Sequence, residues 1–363
     1  MTYFKKRGYY KMKKIKAVSV LAGVTFFIVT FMAGFSEKAT IQAASEGTKK
    51  AGGYSIVIGT SSVGSSGYTQ GVGIANLVSK KERSMSVNSR PVGGSDANVR
   101  AVRDGKVDMA IVNAFSAVQG YRGQGIYATE GKAPLRLILQ GFVTPRYILA
   151  RKASGIEKLA DLSGKTIIGK RPAMADLEIA TGMYLEIAGI PKEKVKIVET
   201  AETNEALDAL KIGSVDAAIM PITFKAPGFQ ELSRTTDLVV PSLTPEQAVR
   251  MIERLGPAFR PLKVPAGTFK GQDKEILTVA TPMILIVREN LPAEEVYLFV
   301  KTILDNLKDV KAIHNEAQFW TVENTLESPG LPFHEGVVKL FKERGIWKPN
   351  LETWQKKVLS EAK

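Results

Sequence analysis

The chain has 363 residues, 44% hydrophobic, 8% aromatic and 24% charged, which is ordinary for a soluble globular chain of about two domains and excludes a disordered or fibrous one. It has no cysteine, and this excludes disulfides, thiolate metal sites, a thiol nucleophile and a lipid-modified cysteine anchor. The formal net charge of +14 points to nucleic acid only until it is located: residues 1–44 hold eight Lys or Arg against one acid, and the other 42 basic and 35 acidic residues, dispersed at helical spacings, leave +7 with no phosphate-binding stripe.

Seven basic residues precede the uncharged run at residues 17–35, and small residues follow at Ala43 and Ala44. That is the order of a secretory signal, so residues 1–44 are expected to direct export and the remainder to work in the periplasm. The run is long for a signal core, and an uncleaved membrane anchor is the alternative.

From Tyr54 onward, short β-rich runs alternate with amphipathic stretches, the pattern of βαβ units. Strands are expected at residues 54–60, 84–92, 107–113 and 135–142, with helices near 68–80 and 96–103. A second series follows, with strands at 146–152, 166–170, 195–200, 215–222 and 237–243. Its helices fall at 173–189, 205–211 and 245–255. The β-rich run at 275–290 exceeds ordinary strand length and contains Pro282, so it reads as a return crossover antiparallel to the linker near 142–146. Helices at 293–314 and 337–343 complete the chain. Two crossings make a two-strand hinge between two α/β lobes. Residues 54–143 with 285–363 are assigned to lobe one, and 144–284 to lobe two.

Two loops offer chemistry. GTSSVGSSGYTQG (59–71) joins a strand to a helix, so small residues admit a ligand to the backbone and N–H groups at the helix start face it. Neither GxxxxGK[ST] nor GxGxxG is present, which argues against a nucleotide. PVGGSDANVR (91–100) repeats the arrangement, although capping alone accounts for Ser95 and Asp96. In GKRPAMADLE (169–178), Lys170 and Arg171 stand before a helix start, where two charges and a dipole end suit a carboxylate; both snorkelling into solvent is the alternative. Arg146 at the hinge exit is the rival anion anchor. His314 and His334 lie far from these loops in no catalytic motif, so no reaction, metal or cofactor is expected. The aromatic C-terminal segment at 319–349 is expected to pack over the back of lobe one.

In order along the chain, GTSSVGSSGYTQG, VGGSDANVRAVRDGKVDMAIVNA, SGIEKLADLSGKTIIGK and ALDALKIGSVDAAIMP resemble the landmarks of the TAXI family of TRAP-transporter solute-binding proteins. The resemblance implies a two-lobed type II periplasmic-binding-protein fold with two hinge crossovers. It also implies a small organic acid in the cleft and delivery to a sodium-coupled TRAP permease by a protein that need only be a monomer. Carried over by position, Thr60, Ser61, Ser62 and Tyr68 become ligand contacts, with Gly94 and Ser95 at the second turn. Gly64, Ser65, Asn113, Phe115, Arg146, Arg171, Met174 and Met220 complete the candidate site. Three departures stand out. The first loop has Ser65 and Ser66 for the family's adjacent glycines, and Gly67 and Thr69 for its Tyr and Pro. Asn113, Ala114 and Phe115 replace its Gln, Ser and Asp, and the second-lobe turn lacks GxxGSGT. Phe115 in place of an acid removes a partner for a ligand ammonium and argues against an α-amino acid. An ABC-type receptor, or an exported sensor or antigen on the same fold, is the alternative.

Overall fold

The structure, a computed structural model, describes residues 53–361; the export segment expected at 1–44 lies outside the described residues. The first part runs β1 (Tyr54–Ser61), α1 (Ser66–Lys81), β2 (Met85–Gly93), α2 (Ser95–Arg103), β3 (Met109–Asn113) and α3 (Ala114–Arg122). β4 (Leu135–Arg151) then carries the chain across to β5 (Thr166–Lys170), α4 (Ala175–Ile187), β6 (Lys196–Glu199), α5 (Thr203–Ile212), β7 (Ala217–Met220) and α6 (Pro227–Thr235). β8 (Leu238–Val239), α7 (Pro245–Leu255) and β9 (Arg260–Val264) follow, and β10 (Ile276–Arg288) returns. The chain closes with α8 (Ala293–Asp305), α9 (Leu307–Ile313), α10 (Val322–Glu327), α11 (Glu335–Glu343) and α12 (Pro349–Glu361).

The strands pair in the order β2-β1-β3-β10-β4-β7-β5-β6, with β8 on β4 and β9 on β10. Pairs β1/β2, β1/β3, β5/β6 and β5/β7 are parallel, as helical crossovers require. β4 and β10 run antiparallel to each other and belong to both lobes. Where they cross, Pro145 faces Ala280 and Pro282 faces Val143, with the register slipping after Pro282. A proline has no N–H for the ladder, so each of the two removes a donor from the pairing at this crossing.

The apolar cores change over at this crossing. Ile56, Ile58, Ile111, Phe142, Leu285 and Phe299 share one core. On β4 beyond Tyr147, Ile148 and Ala150 enter a second core with Leu177 and Tyr184, while Tyr147 and Leu149 enter a third with Leu210 and Phe229. This period-two alternation is how a strand covered by helices on both faces divides its side chains.

The structure differs from the sequence expectation in a few elements. The strands expected at 135–142 and 146–152 are one 17-residue strand, because Pro145 is spanned by its pairing with Ala280. The helix expected at 293–314 breaks at Asn306 into α8 and α9. α3, α6, α10, α12 and β9 were not anticipated; α3 begins directly at the end of β3, where Asn113 caps it.

Candidate functional site

The carboxyl ends of the parallel strands of both lobes converge beside the hinge, the place where an open α/β sheet binds its ligands. Ser61, Ser65, Ser66 and Gly67 come from the end of β1 and the start of α1, and Ser95 from the start of α2. Arg171, Met174, Thr203 and Pro221 to Thr223 come from lobe two, and Thr144 and Met283 from the hinge strands. They enclose a cavity of about 20 Å³, room for an occupant of water size. A larger solute enters only if the lobes part or Met174 and Met283 change rotamer.

The lobes meet through direct hydrogen bonds. Asp96 N donates to Ala173 O at 3.0 Å, and Ala175 N donates to Asp96 Oδ2 at 2.7 Å, so a carboxylate of lobe one caps a helix of lobe two. Tyr127 Oη also donates to Asp96, at 2.9 Å. Burial, then the charge of Asp176, pushes the Asp96 carboxyl above its ordinary value. On the other rim, the Ser66 and Thr223 hydroxyls are 3.0 Å apart, and Thr223 donates to Glu316 Oε2 at 2.9 Å. Burial raises the Glu316 carboxyl as well.

Of the sequence candidates, Ser61, Ser65, Ser95, Arg171 and Met174 line the cavity. Several others are engaged in holding the loops. Thr60 Oγ1 donates to Arg90 O at 3.2 Å and Ser62 Oγ to Gly93 O at 2.9 Å, tying β1 to β2. Ser65 caps α1 by accepting from Tyr68 N, and Asn113 Oδ1 accepts from Ser116 N at 2.7 Å. Gly64, at φ +87°, packs on the Asn204 side chain at the rim, and Gly64 O accepts from Gly228 N at 3.3 Å. Tyr68 is half-buried on α1. Gly94 packs so closely on Ala173 that a Cβ there would lie 2.4 Å from its carbonyl oxygen. Met220 is a core residue of lobe two, and Phe115 meets Phe259 edge-on at 5.7 Å in a separate pocket. The sequence reading did not single out Ser66, although it lies within the first loop motif, nor Thr144, Thr203, Thr223 and Met283, which stand at a helix start, a loop or a hinge strand with no motif around them.

The two candidate arginines have different fates. Arg146 is 0% exposed and its Nε lies 2.5 Å from Asp176 Oδ2, while Nη1 donates to Thr144 Oγ1 and Pro145 O. Its charge is matched inside the protein by Asp176, although its Nη2 has no hydrogen-bond partner. Arg171 is 3% exposed, donates from Nη1 to Thr203 Oγ1 at 3.0 Å, lies 3.7 Å from Met174 Sδ, and its Nε has no hydrogen-bond partner. Burial pulls its pKa below the ordinary value. Neighbouring Lys170 instead turns outward to Glu199, at 3.3 Å.

Both histidines are structural: Nδ1 of His334 accepts from Gly336 N at the start of α11, and Nδ1 of His314 from Glu316 N. Trp320 is buried against Phe142 and donates from Nε1 to Gln70 Oε1 at 2.7 Å, so the C-terminal aromatics pack onto lobe one as expected. Among the described residues, no group of three or more His, Asp or Glu is placed to hold a metal ion.

The sequence model of the NMT1-like family matches residues 58–345, which spans both lobes and both crossings. The chain belongs to the NMT1-like family. Solved structures similar to this NMT1-like protein include an ancestral arginine-binding protein bound to arginine, 17% identical over 73% of this chain and 97% of that one, with a TM-score of 0.44. The alkanesulfonate-binding protein SsuA from Xanthomonas axonopodis pv. citri bound to MOPS is 14% identical over 81% and 94%, with a TM-score of 0.42. A substrate-binding protein of an ABC uptake transporter from Streptococcus pneumoniae, with bound histidine, is 15% identical over 76% and 95%, with a TM-score of 0.44. At such distances no ligand is transferred to this NMT1-like protein, whose own residues must supply the argument.

Proposed function

We propose that this protein is an exported solute receptor that captures a small organic acid between its lobes and presents it to a membrane permease. The observation that carries the reading is Arg171: a buried guanidinium with an unpartnered Nε at an interlobe cavity lined by hydroxyls and by no carboxylate side chain. Ser61, Ser65, Ser66, Ser95, Thr203 and Thr223 supply further polar groups, and Met174 and Met283 cover the apolar part of the solute. A carboxylate or sulfonate completes the Arg171 hydrogen bonds with a charge-assisted pair. A ligand ammonium finds no acid in this lining, so the cargo is an acid without an α-amino group.

The lobe limits proposed are 54–143 with 285–363, and 144–284, and closure about the crossing of β4 and β10 traps the solute. The ordered landmarks of the sequence support a TRAP-type permease as recipient, with an ABC-type permease as the alternative; a permease gene or an ATPase gene beside this one separates the two. The test is a thermal-shift screen of the exported portion, residues 45–363, against amino acids, mono- and dicarboxylates, sugars and sulfonates. Ligand at 100 times its dissociation constant adds about 2.7 kcal/mol. The expected result is a clear shift with one or a few acids lacking an amino group. A shift with amino acids alone overturns the cargo class, and no shift with any compound, after unfolding and refolding to strip ligand, overturns the receptor reading.

A further inference from the structure

A second and larger pocket lies beside the hinge. Its volume is about 460 Å³, within the range of roughly 300–1,000 Å³ usual for small-molecule sites. Lobe one contributes α3, lobe two the turn from the end of α7 into β9, and the crossing strand β10 contributes Pro282. The next residue, Met283, lines the front cavity instead. The two cavities share no lining residue.

The lining has a definite polarity. Phe115, Val118, Leu255, Pro257, Phe259 and Pro282 form an apolar surface. Along the same face of α3, Gln119 has a buried Oε1 without a hydrogen-bond partner, and one turn from Val118 the exposed Arg122 makes no ion pair among the described residues. The other rim charges, Arg260 and Glu327, neutralise each other at 3.1 Å, so the net charge available to an occupant is that of Arg122.

We propose that this pocket is a second ligand site, for an amphipathic organic anion: an aromatic or branched aliphatic body over Phe115 and Phe259, with a carboxylate or sulfonate toward Arg122. An apolar body gains from the area it removes from water, and Arg122, the one cation of this lining without an ion pair among the described residues, orients the head group. Elements of both lobes form the walls of this pocket. The site does not depend on Arg171, and it stands even if the front cavity takes a different cargo.

The test is a fluorescence titration of the protein with 8-anilinonaphthalene-1-sulfonate, an aromatic sulfonate that brightens in apolar surroundings. One dye is expected to bind per chain. Val118→Trp fills the pocket and is expected to weaken binding at least about tenfold. Arg122→Glu, at an exposed position that leaves the fold intact, is expected to weaken it at least about fivefold, with Arg122→Lys retaining most of the affinity. Arg171→Met is expected to leave the dye titration unchanged, which separates this site from the front cavity. Dye binding insensitive to both Val118→Trp and Arg122→Glu, or abolished by Arg171→Met, overturns the proposal.

Discussion

Replacing Arg171 by Met separates a binding role from a structural one, because the two predict opposite signs. Arg171 is buried, and its Nε has no hydrogen-bond partner. An unmet buried donor costs about 1–3 kcal/mol, and more on a charged group. Methionine is of similar length, flexible and apolar, and fits beside Met174 without the desolvation cost. In the absence of cargo the variant is therefore expected to match or exceed the wild-type urea midpoint, with a gain of about 1 kcal/mol after the loss of the Thr203 hydrogen bond is allowed for. Toward an acid the sign reverses. A charge-assisted hydrogen bond is worth about 2–3 kcal/mol, so the dissociation constant measured by calorimetry rises about 30- to 150-fold. The reasoning is refuted if Arg171→Met loses more than about 1 kcal/mol of stability while the acid's dissociation constant moves less than about threefold.

Two further substitutions probe closure. Gly94 has an extended backbone (φ −152°) that alanine adopts freely, yet a Cβ there would lie 2.4 Å from Ala173 O and 2.6 Å from Met174 Cγ in the opposite lobe. Gly94→Ala is therefore expected to hold the lobes apart, giving a larger radius of gyration in small-angle X-ray scattering and acid binding weakened about tenfold with an unchanged urea midpoint; a scattering curve identical to wild type with saturating acid sinks the idea. Asp96→Asn probes pH. Burial and Asp176 raise the Asp96 carboxyl, so its contribution to stability is fully present below the unfolded-state value and is lost as pH rises through the folded-state one. The asparagine amide oxygen can accept from Ala175 N while its amide nitrogen donates to Tyr127 Oη, without the charge, so the stability of the variant relative to wild type should rise as pH increases above the ordinary carboxylate range in urea denaturation; a difference that stays flat with pH counts against a strained carboxylate.

The order of elements was legible in the sequence because the signals are local. Short β-rich runs became β1, β2 and β5, the long β-rich run became β10, and amphipathic stretches became α1, α2 and α7. The two-crossing hinge followed from one strand too long for its lobe, with a proline inside it. The loops of the candidate site were located for the same reason, since small residues between a strand and a helix mark a place of close approach.

The roles of the individual side chains were not legible, because a hydrogen bond is decided by a partner remote in sequence. Thr60, Ser62 and Asn113 offered polar atoms to a ligand, but β2 and α3 take them up. Arg146 and Arg171 look alike in the sequence; the fold pairs Arg146 with Asp176 and leaves Arg171, at the cavity wall, with no ion pair among the described residues, and this contrast is what the proposed anion-binding role of Arg171 rests on. The continuity of β4 through Pro145 likewise depends on Ala280, 135 residues away. Local periodicity determined which segments are strands and helices, while burial and long-range pairing, which alone set the energy of a polar or charged group, decided which residues line the interlobe cavity.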